Sequence, residues 1–121
     1  MLIEDEQDLV WLYSKRLKKN GYEVITYPMG ESAIRTIQHY LPDIIILDIK
    51  LPGRSGIEVF KEMKETPAIS SIPVIFLSAM HEEEDFCIQT LKAVGFIKKP
   101  CAATELVAII ETALTKTQQP L

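Results

Sequence analysis

In 121 residues the chain carries only two cysteines, two histidines and one tryptophan, and these scarce residues are scattered. Cys87 and Cys101 are too few for a disulfide framework, and no clustered partners stand beside them to complete a zinc site. Reduced thiols in a cytoplasmic setting are the expectation. His39 and His81 lack metal-ligand spacing and read as surface residues. No apolar stretch approaches the roughly 20 residues needed to cross a bilayer, and the first residues include Glu4, Asp5 and Glu6 where a secretory signal would be basic. No membrane span is expected. Excess positive charge is also missing: a net charge of −4 and a pI near 5.2 leave no electrostatic footprint for direct nucleic-acid binding.

What is present is a globular composition, with 47% hydrophobic and 25% charged residues. A length of 121 residues suits one domain, 1–121, with one core. Along it, helical stripes alternate with apolar strands. Leu9, Val10, Tyr13 and Leu17 recur at helical spacing before an Asn20-Gly21 stop, and Tyr22 to Tyr27 then reads as a strand. Ala33, Ile34, Ile37 and Leu41 form the next stripe, closed by Pro42. Asp43 to Asp48 is the central strand, and Val59, Phe60 and Met63 mark a third helix after Gly56. A loop over Thr66 to Ile72 leads to the strand Pro73 to Ser78. Cys87, Ile88, Leu91 and Val94 predict a fourth helix, and Phe96-Ile97 a short strand. The clearest amphipathic stripe is the last, Leu106, Ile109, Ile110, Ala113 and Leu114, followed by a polar tail over Thr115 to Gln119. Only Met1, Leu2 and Ile3 precede Glu4, which leaves either a short first strand or a trimmed one. This order predicts an α/β fold: a single (βα)5 doubly wound parallel sheet, flavodoxin-like, with strand order 2-1-3-4-5 and helices on both faces. The unbroken apolar runs at 44–47 and 74–77 fit strands buried on both sides.

Each apolar strand stops at a polar group: Glu4-Asp5, Asp48, Ser78 and Lys99. Ligands of such sheets bind at the carboxyl ends of the strands where strand order reverses, here between the first and third strands. That geometry collects Glu4, Asp5 and Asp48, whose mutual repulsion is roughly 4 kcal/mol per pair at ~4 Å and an effective dielectric near 20. A divalent cation relieves it, and Mg2+ suits hard oxygen ligands. With Lys99 as a compact cation and Ser78 as a hydroxyl donor, the set describes a carboxylate that accepts a phosphoryl group.

Each residue also has an ordinary reading. Glu4, Asp5 and Glu6 favour the N-terminus of the following helix through its dipole. Asp48 suits a turn before Pro52-Gly53, although a buried carboxylate without partners is costly. Ser78 alone is a strand-end hydroxyl, and Lys99 alone resembles its solvated neighbour Lys98. Cys87, Cys101, Trp11 and the methionines read as packing or surface residues. A haloacid-dehalogenase-like phosphatase also uses a strand-end Asp with magnesium, but needs a second acid two residues later, where Lys50 stands.

Taken together, the motifs resemble the receiver domain of a two-component response regulator over essentially the whole chain. The matching residues are Glu4-Asp5 after the first strand, Asp48 with Leu51-Pro52 and Gly56 after the third, Ser78-Ala79 after the fourth, and Lys99-Pro100 after the fifth. The resemblance implies that Asp48 is the phosphoacceptor, taking its phosphoryl group from a phosphohistidine on a histidine kinase or histidine phosphotransfer protein. It implies Mg2+ held by Asp5, Asp48 and the Lys50 carbonyl, with Glu4 acting through water. Ser78, the Ala79 N–H and Lys99 would contact the phosphoryl oxygens, and Phe96 would be an aromatic switch coupled to Ser78. The resemblance further implies a cis Lys99-Pro100 peptide and an output surface on the fourth helix, fifth strand and fifth helix. An effector domain, a downstream protein or a second copy forming a homodimer would be sought there. The chain would catalyse its own phosphoryl transfer as a signalling module, without being a conventional metabolic enzyme. A receiver-like domain that binds partners independently of phosphorylation is the alternative, although all the expected side chains are present. Cys101 and Ala102 depart from the pattern where a capping Ser is common, which predicts a weaker N-cap on the last helix. Lys50 and Met80 hold variable positions flanking the phosphoryl site.

Overall fold

Five strands, β1 (Leu2–Ile3), β2 (Thr26–Tyr27), β3 (Ile45–Asp48), β4 (Val74–Ser78) and β5 (Gly95–Lys98), pair in parallel in the order β2-β1-β3-β4-β5. The computed structural model describes residues 1–118, apart from the side chains of His81, Thr117 and Gln118. The reading of His81 as a surface side chain lies outside that description, whereas His39 is exposed as expected.

The apolar runs are continuous because both faces of the sheet are covered. Ile44, Ile46, Ile75 and Leu77 point to one face, against Tyr13 and Leu17 of α1 (Gln7–Lys19) and Leu106 and Ile110 of α4 (Ala103–Gln118). Ile45, Leu47, Val74 and Phe76 point to the other, against Ile37 of α2 (Ala33–Tyr40) and Val59, Phe60 and Met63 of α3 (Gly56–Lys64). Each of these side chains contributes roughly 1.5–3 kcal/mol by leaving water, so the two layers hold the strand ends in place. Among the described residues no helix is long and apolar enough to cross a membrane.

Helix boundaries follow local chemistry. Ser55 caps α3 by accepting a hydrogen bond from the Glu58 N–H at 3.2 Å. Gly21 ends α1 with φ +91°, in the left-handed region that glycine tolerates. The stripe that includes Leu41 needs correcting: α2 stops at Tyr40, and Leu41 is left-handed (φ 48°) and 58% exposed. Pro42 is the cause, because its ring disfavours helical geometry in the residue before it.

Three other elements depart from expectation by more than two residues, while β3, β4 and β5 shift by only one or two at their ends. The strand expected over 22–27 shrinks to Thr26–Tyr27, since β2 pairs only with β1 and β1 offers two residues. The fourth helix is replaced by an irregular segment: a 3₁₀ turn at His81–Glu83, then a π-helical turn at Phe86–Thr90. Leu91 N–H reaches Phe86 O at 3.0 Å across that wider turn, and Lys92 leaves it with φ 64°. The wider turn buries Cys87 and Ala93, while Val94 lies 38% exposed and donates its N–H to Val74 O at the entrance to β5. The last helix, α4, extends through most of the expected polar tail to Gln118, and Gln119 lies outside the described residues.

Candidate functional site

Asp48, at the carboxyl end of β3, is only 2% exposed and is held from three sides. Its Oδ1 accepts the Lys50 N–H at 3.2 Å, and its Oδ2 accepts from Lys99 Nζ at 3.0 Å. On the third side its carbonyl lies where a Cβ on Gly56 would sit 2.2 Å away, so the chain returning into α3 can pass only as glycine. Gly56 N–H completes this return by bonding Ile49 O at 2.8 Å. The expected spacing from Asp48 to Gly56 is therefore a backbone clamp at the base of Asp48.

Glu4 and Asp5 follow β1 directly, and β1 is the neighbour of β3 in the sheet. Glu4 is buried, with Oε2 accepting the N–H groups of Asp5 (2.9 Å) and Glu6 (3.1 Å) and Oε1 lying 2.7 Å from Lys99 Nζ. Asp5 is exposed. One carboxylate oxygen from each of Glu4, Asp5 and Asp48 falls within 4.8 Å of the others. Three hard oxygen donors of mixed burial, converging at a strand-order reversal, fit a divalent cation of the magnesium type.

Lys99 occupies the same cluster from the end of β5. Its ammonium pairs with Glu4, with Asp48 and, at 3.2 Å, with Glu6 Oε1. Burial alone would lower its pKa, but hydrogen bonds to Glu4 and Asp48 outweigh burial and hold it above the ordinary lysine range. Burial raises the Glu4 carboxyl, and the Lys99 bond pulls the other way. The Lys99-Pro100 peptide is cis, as the resemblance implied, and Lys99 N–H bonds Ser78 O at 2.7 Å.

Ser78 is 4% exposed at the end of β4. Its Oγ donates to Glu83 Oε1 at 3.0 Å and accepts the Met80 N–H at 3.0 Å. Asp48, Lys50, Ser78, Ala79, Glu83 and Lys99 all line one cleft of about 360 Å³. Phe96 stands apart from it, half-buried in register with Phe76 and packed on the α2–α3 side of the core.

Glu83 has no place among the site residues expected from the sequence, and Glu6 enters that expectation only through the helix dipole. No motif marks either. Glu83 reaches the cleft only because a tight 3₁₀ turn follows β4, and Glu6 only because Lys99 leans towards α1.

A protein family described as "Response regulator receiver domain" matches residues 1–111. The chain is 32% identical over 119 residues to the alkaline phosphatase synthesis transcriptional regulatory protein PhoP of Bacillus subtilis, covering 98% of this chain and 49% of that protein. It is 35% identical over 117 residues to the phosphate regulon transcriptional regulatory protein PhoB of Rhizobium meliloti, covering 95% and 51%. The chain thus spans about half the length of these curated relatives. Among solved structures, the receiver domain of NtrX from Brucella abortus superposes with a TM-score of 0.81 at 30% identity, covering 94% of this chain and 96% of that one. The signal receiver domain of a signal transduction histidine kinase from Syntrophus aciditrophicus gives 0.85 at 26% identity, covering 99% and 92%.

Proposed function

Because the chain belongs to the response regulator receiver domain family of two-component signal transduction, we propose that Asp48 is its phosphoacceptor, with Lys99 and Ser78 serving the phosphoryl group. The observation that carries this is the Asp48–Lys99 pair at 3.0 Å, set in a cleft beside the Glu4–Asp5–Asp48 cluster.

A carboxylate oxygen of Asp48 attacks the phosphorus of a phosphohistidine supplied by a histidine kinase or histidine phosphotransfer protein. The new O–P bond forms as the N–P bond breaks, and the leaving imidazole nitrogen keeps the electron pair. The Lys50 N–H and the Gly56 clamp hold Asp48 in place for that approach. Lys99 exchanges its carboxylate partners for a phosphoryl oxygen, while the Ser78 hydroxyl and the Ala79 N–H turn to others. Asp5, Asp48 and the Lys50 carbonyl would hold Mg2+ directly, with Glu4 reaching it through water. The ion would supply charge neutralisation between the acceptor and the incoming phosphoryl group.

The readout is a population shift: Ser78 moves toward the phosphoryl group, Phe96 rotates inward, and the surface of residues 81–94, β5 and α4 changes its preferred partner. An effector region or a second copy of this chain would dock there. Residues 1–121 act as one receiver module in the cytoplasm, where kinase and phosphodonor meet.

The test is intact-mass measurement after incubation with magnesium and a small-molecule phosphodonor. One phosphoryl adduct is expected on the wild type and none on Asp48→Asn. An unmodified wild type, or an adduct that persists in Asp48→Asn, would overturn the assignment.

A further inference from the structure

We propose that Glu83 is a positioning residue that holds the Ser78 hydroxyl in the resting arrangement and opposes the phosphorylated one. The inference rests on the reading of Asp48 as phosphoacceptor and adds a residue that the family motif does not include.

A hydroxyl has one proton to give. In Ser78 that proton has two acceptors in reach, Glu83 Oε1 at 3.0 Å and Met80 O at 3.5 Å, and the shorter contact to the carboxylate takes it. The Met80 N–H fixes the hydroxyl from the other side at 3.0 Å. Ser78 can therefore serve a phosphoryl oxygen on Asp48 only after releasing Glu83. Bonds to an ionised acceptor are roughly twice as strong as neutral ones, so the release is a real barrier.

Glu83 is set apart from the acids around it. Glu82, Glu84 and Asp85 are exposed, whereas Glu83 is half-buried and lines the cleft that contains Asp48 and Lys99. Its carboxylate would also face the phosphoryl group and repel it. Both effects push the same way, toward a receiver that is hard to switch on and quick to return. Glu83 ends the 3₁₀ turn that leads into residues 84–90, so breaking its bond to Ser78 releases one anchor of that irregular segment.

The test is the affinity for beryllofluoride, a phosphoryl mimic, titrated with excess magnesium and followed by 19F NMR. Glu83→Ala should tighten binding about tenfold, and Glu83→Gln, which keeps an acceptor but loses the charge, by less. Glu82→Ala removes the same charge from an exposed neighbour and should stay within about twofold of wild type. In a Ser78→Ala background the gain from Glu83→Ala should shrink to about twofold or less. Unchanged or weaker binding by Glu83→Ala, equal gains from Glu82→Ala, or a full gain without Ser78 would each overturn the inference. Failure of the wild type to bind the mimic would instead overturn the phosphoacceptor reading, and the inference with it.

Discussion

Lys99 Nζ lies 3.0 Å from Asp48 Oδ2, so the ammonium proposed to serve a phosphoryl oxygen already neutralises the carboxylate proposed to receive it. Lys99→Met keeps most of the side-chain length and removes the charge, leaving Glu4 and Asp48 buried without their cation. Breaking a buried pair costs about 3–5 kcal/mol, and the open cleft brings the expected loss to about 2–4 kcal/mol in urea unfolding. Magnesium should recover part of that loss. A wild-type urea midpoint in Lys99→Met without metal would contradict this account of the cluster.

Magnesium itself should stabilise the wild type, because folding is what brings Asp48 to within 4.8 Å of the Glu4–Asp5 pair. At 100 times the dissociation constant the gain is about 2.7 kcal/mol, seen as a rise in Tm that EDTA reverses. Asp5→Asn should reduce the rise sharply. An equal Tm response in wild type and Asp5→Asn would place the ion elsewhere.

Gly56→Ala tests the backbone clamp. The added Cβ would sit 2.2 Å from Asp48 O and 3.0 Å from Ile49 Cα, both backbone atoms that yield only if the strand end moves. The expected cost is about 1–3 kcal/mol, together with slower phosphoryl uptake as Asp48 is displaced. Gly21→Ala is the control: its φ of +91° is unfavourable for alanine, but no atom lies within 4 Å of the new Cβ. It should lose about 1–2 kcal/mol and keep the rate of adduct formation in the mass assay.

Burial pushes the thiols of Cys87 and Cys101 up to about 11, helped by the charges of Glu83 and Glu105 respectively. Between about pH 9 and 11 the unfolded chain would release these protons while the folded chain keeps them, so stability falls as pH rises through that window. A Cys87→Ala/Cys101→Ala double variant should show a flatter urea-midpoint profile there than wild type. Neither thiol should react with a disulfide reagent at pH 8 until the chain is denatured.

The strand ends were legible because apolar runs broken by Glu4, Asp48, Ser78 and Lys99 follow directly from which residues must be buried. Strand order came from the doubly wound architecture that five βα units imply, and the position of the cleft from that order. The length of β2 was not legible, because it depends on how many residues its one partner offers. Nor was the segment after β4: Cys87, Ile88, Leu91 and Val94 keep a helical spacing, yet a single wider turn swaps Val94 out and Ala93 in. Glu83 was hidden for a related reason, since one acid among four in a row is singled out only by the turn that points it inward.

The burial of β3 on both faces has one more consequence. A strand with one wet face keeps its register because a slip of one residue exposes its apolar side. β3 lacks that protection: Ile45 and Leu47 pack on one side and Ile44 and Ile46 on the other, so hydrophobic pattern alone would tolerate a shift. The polar end of the strand resists it. A slip would drag the Asp48 carboxylate into the fully buried place of Leu47, away from Lys99 and the Lys50 N–H, and an unpaired charge there is prohibitive. The residue proposed to carry the signal is thus also the bookmark that tells the central strand where to stop.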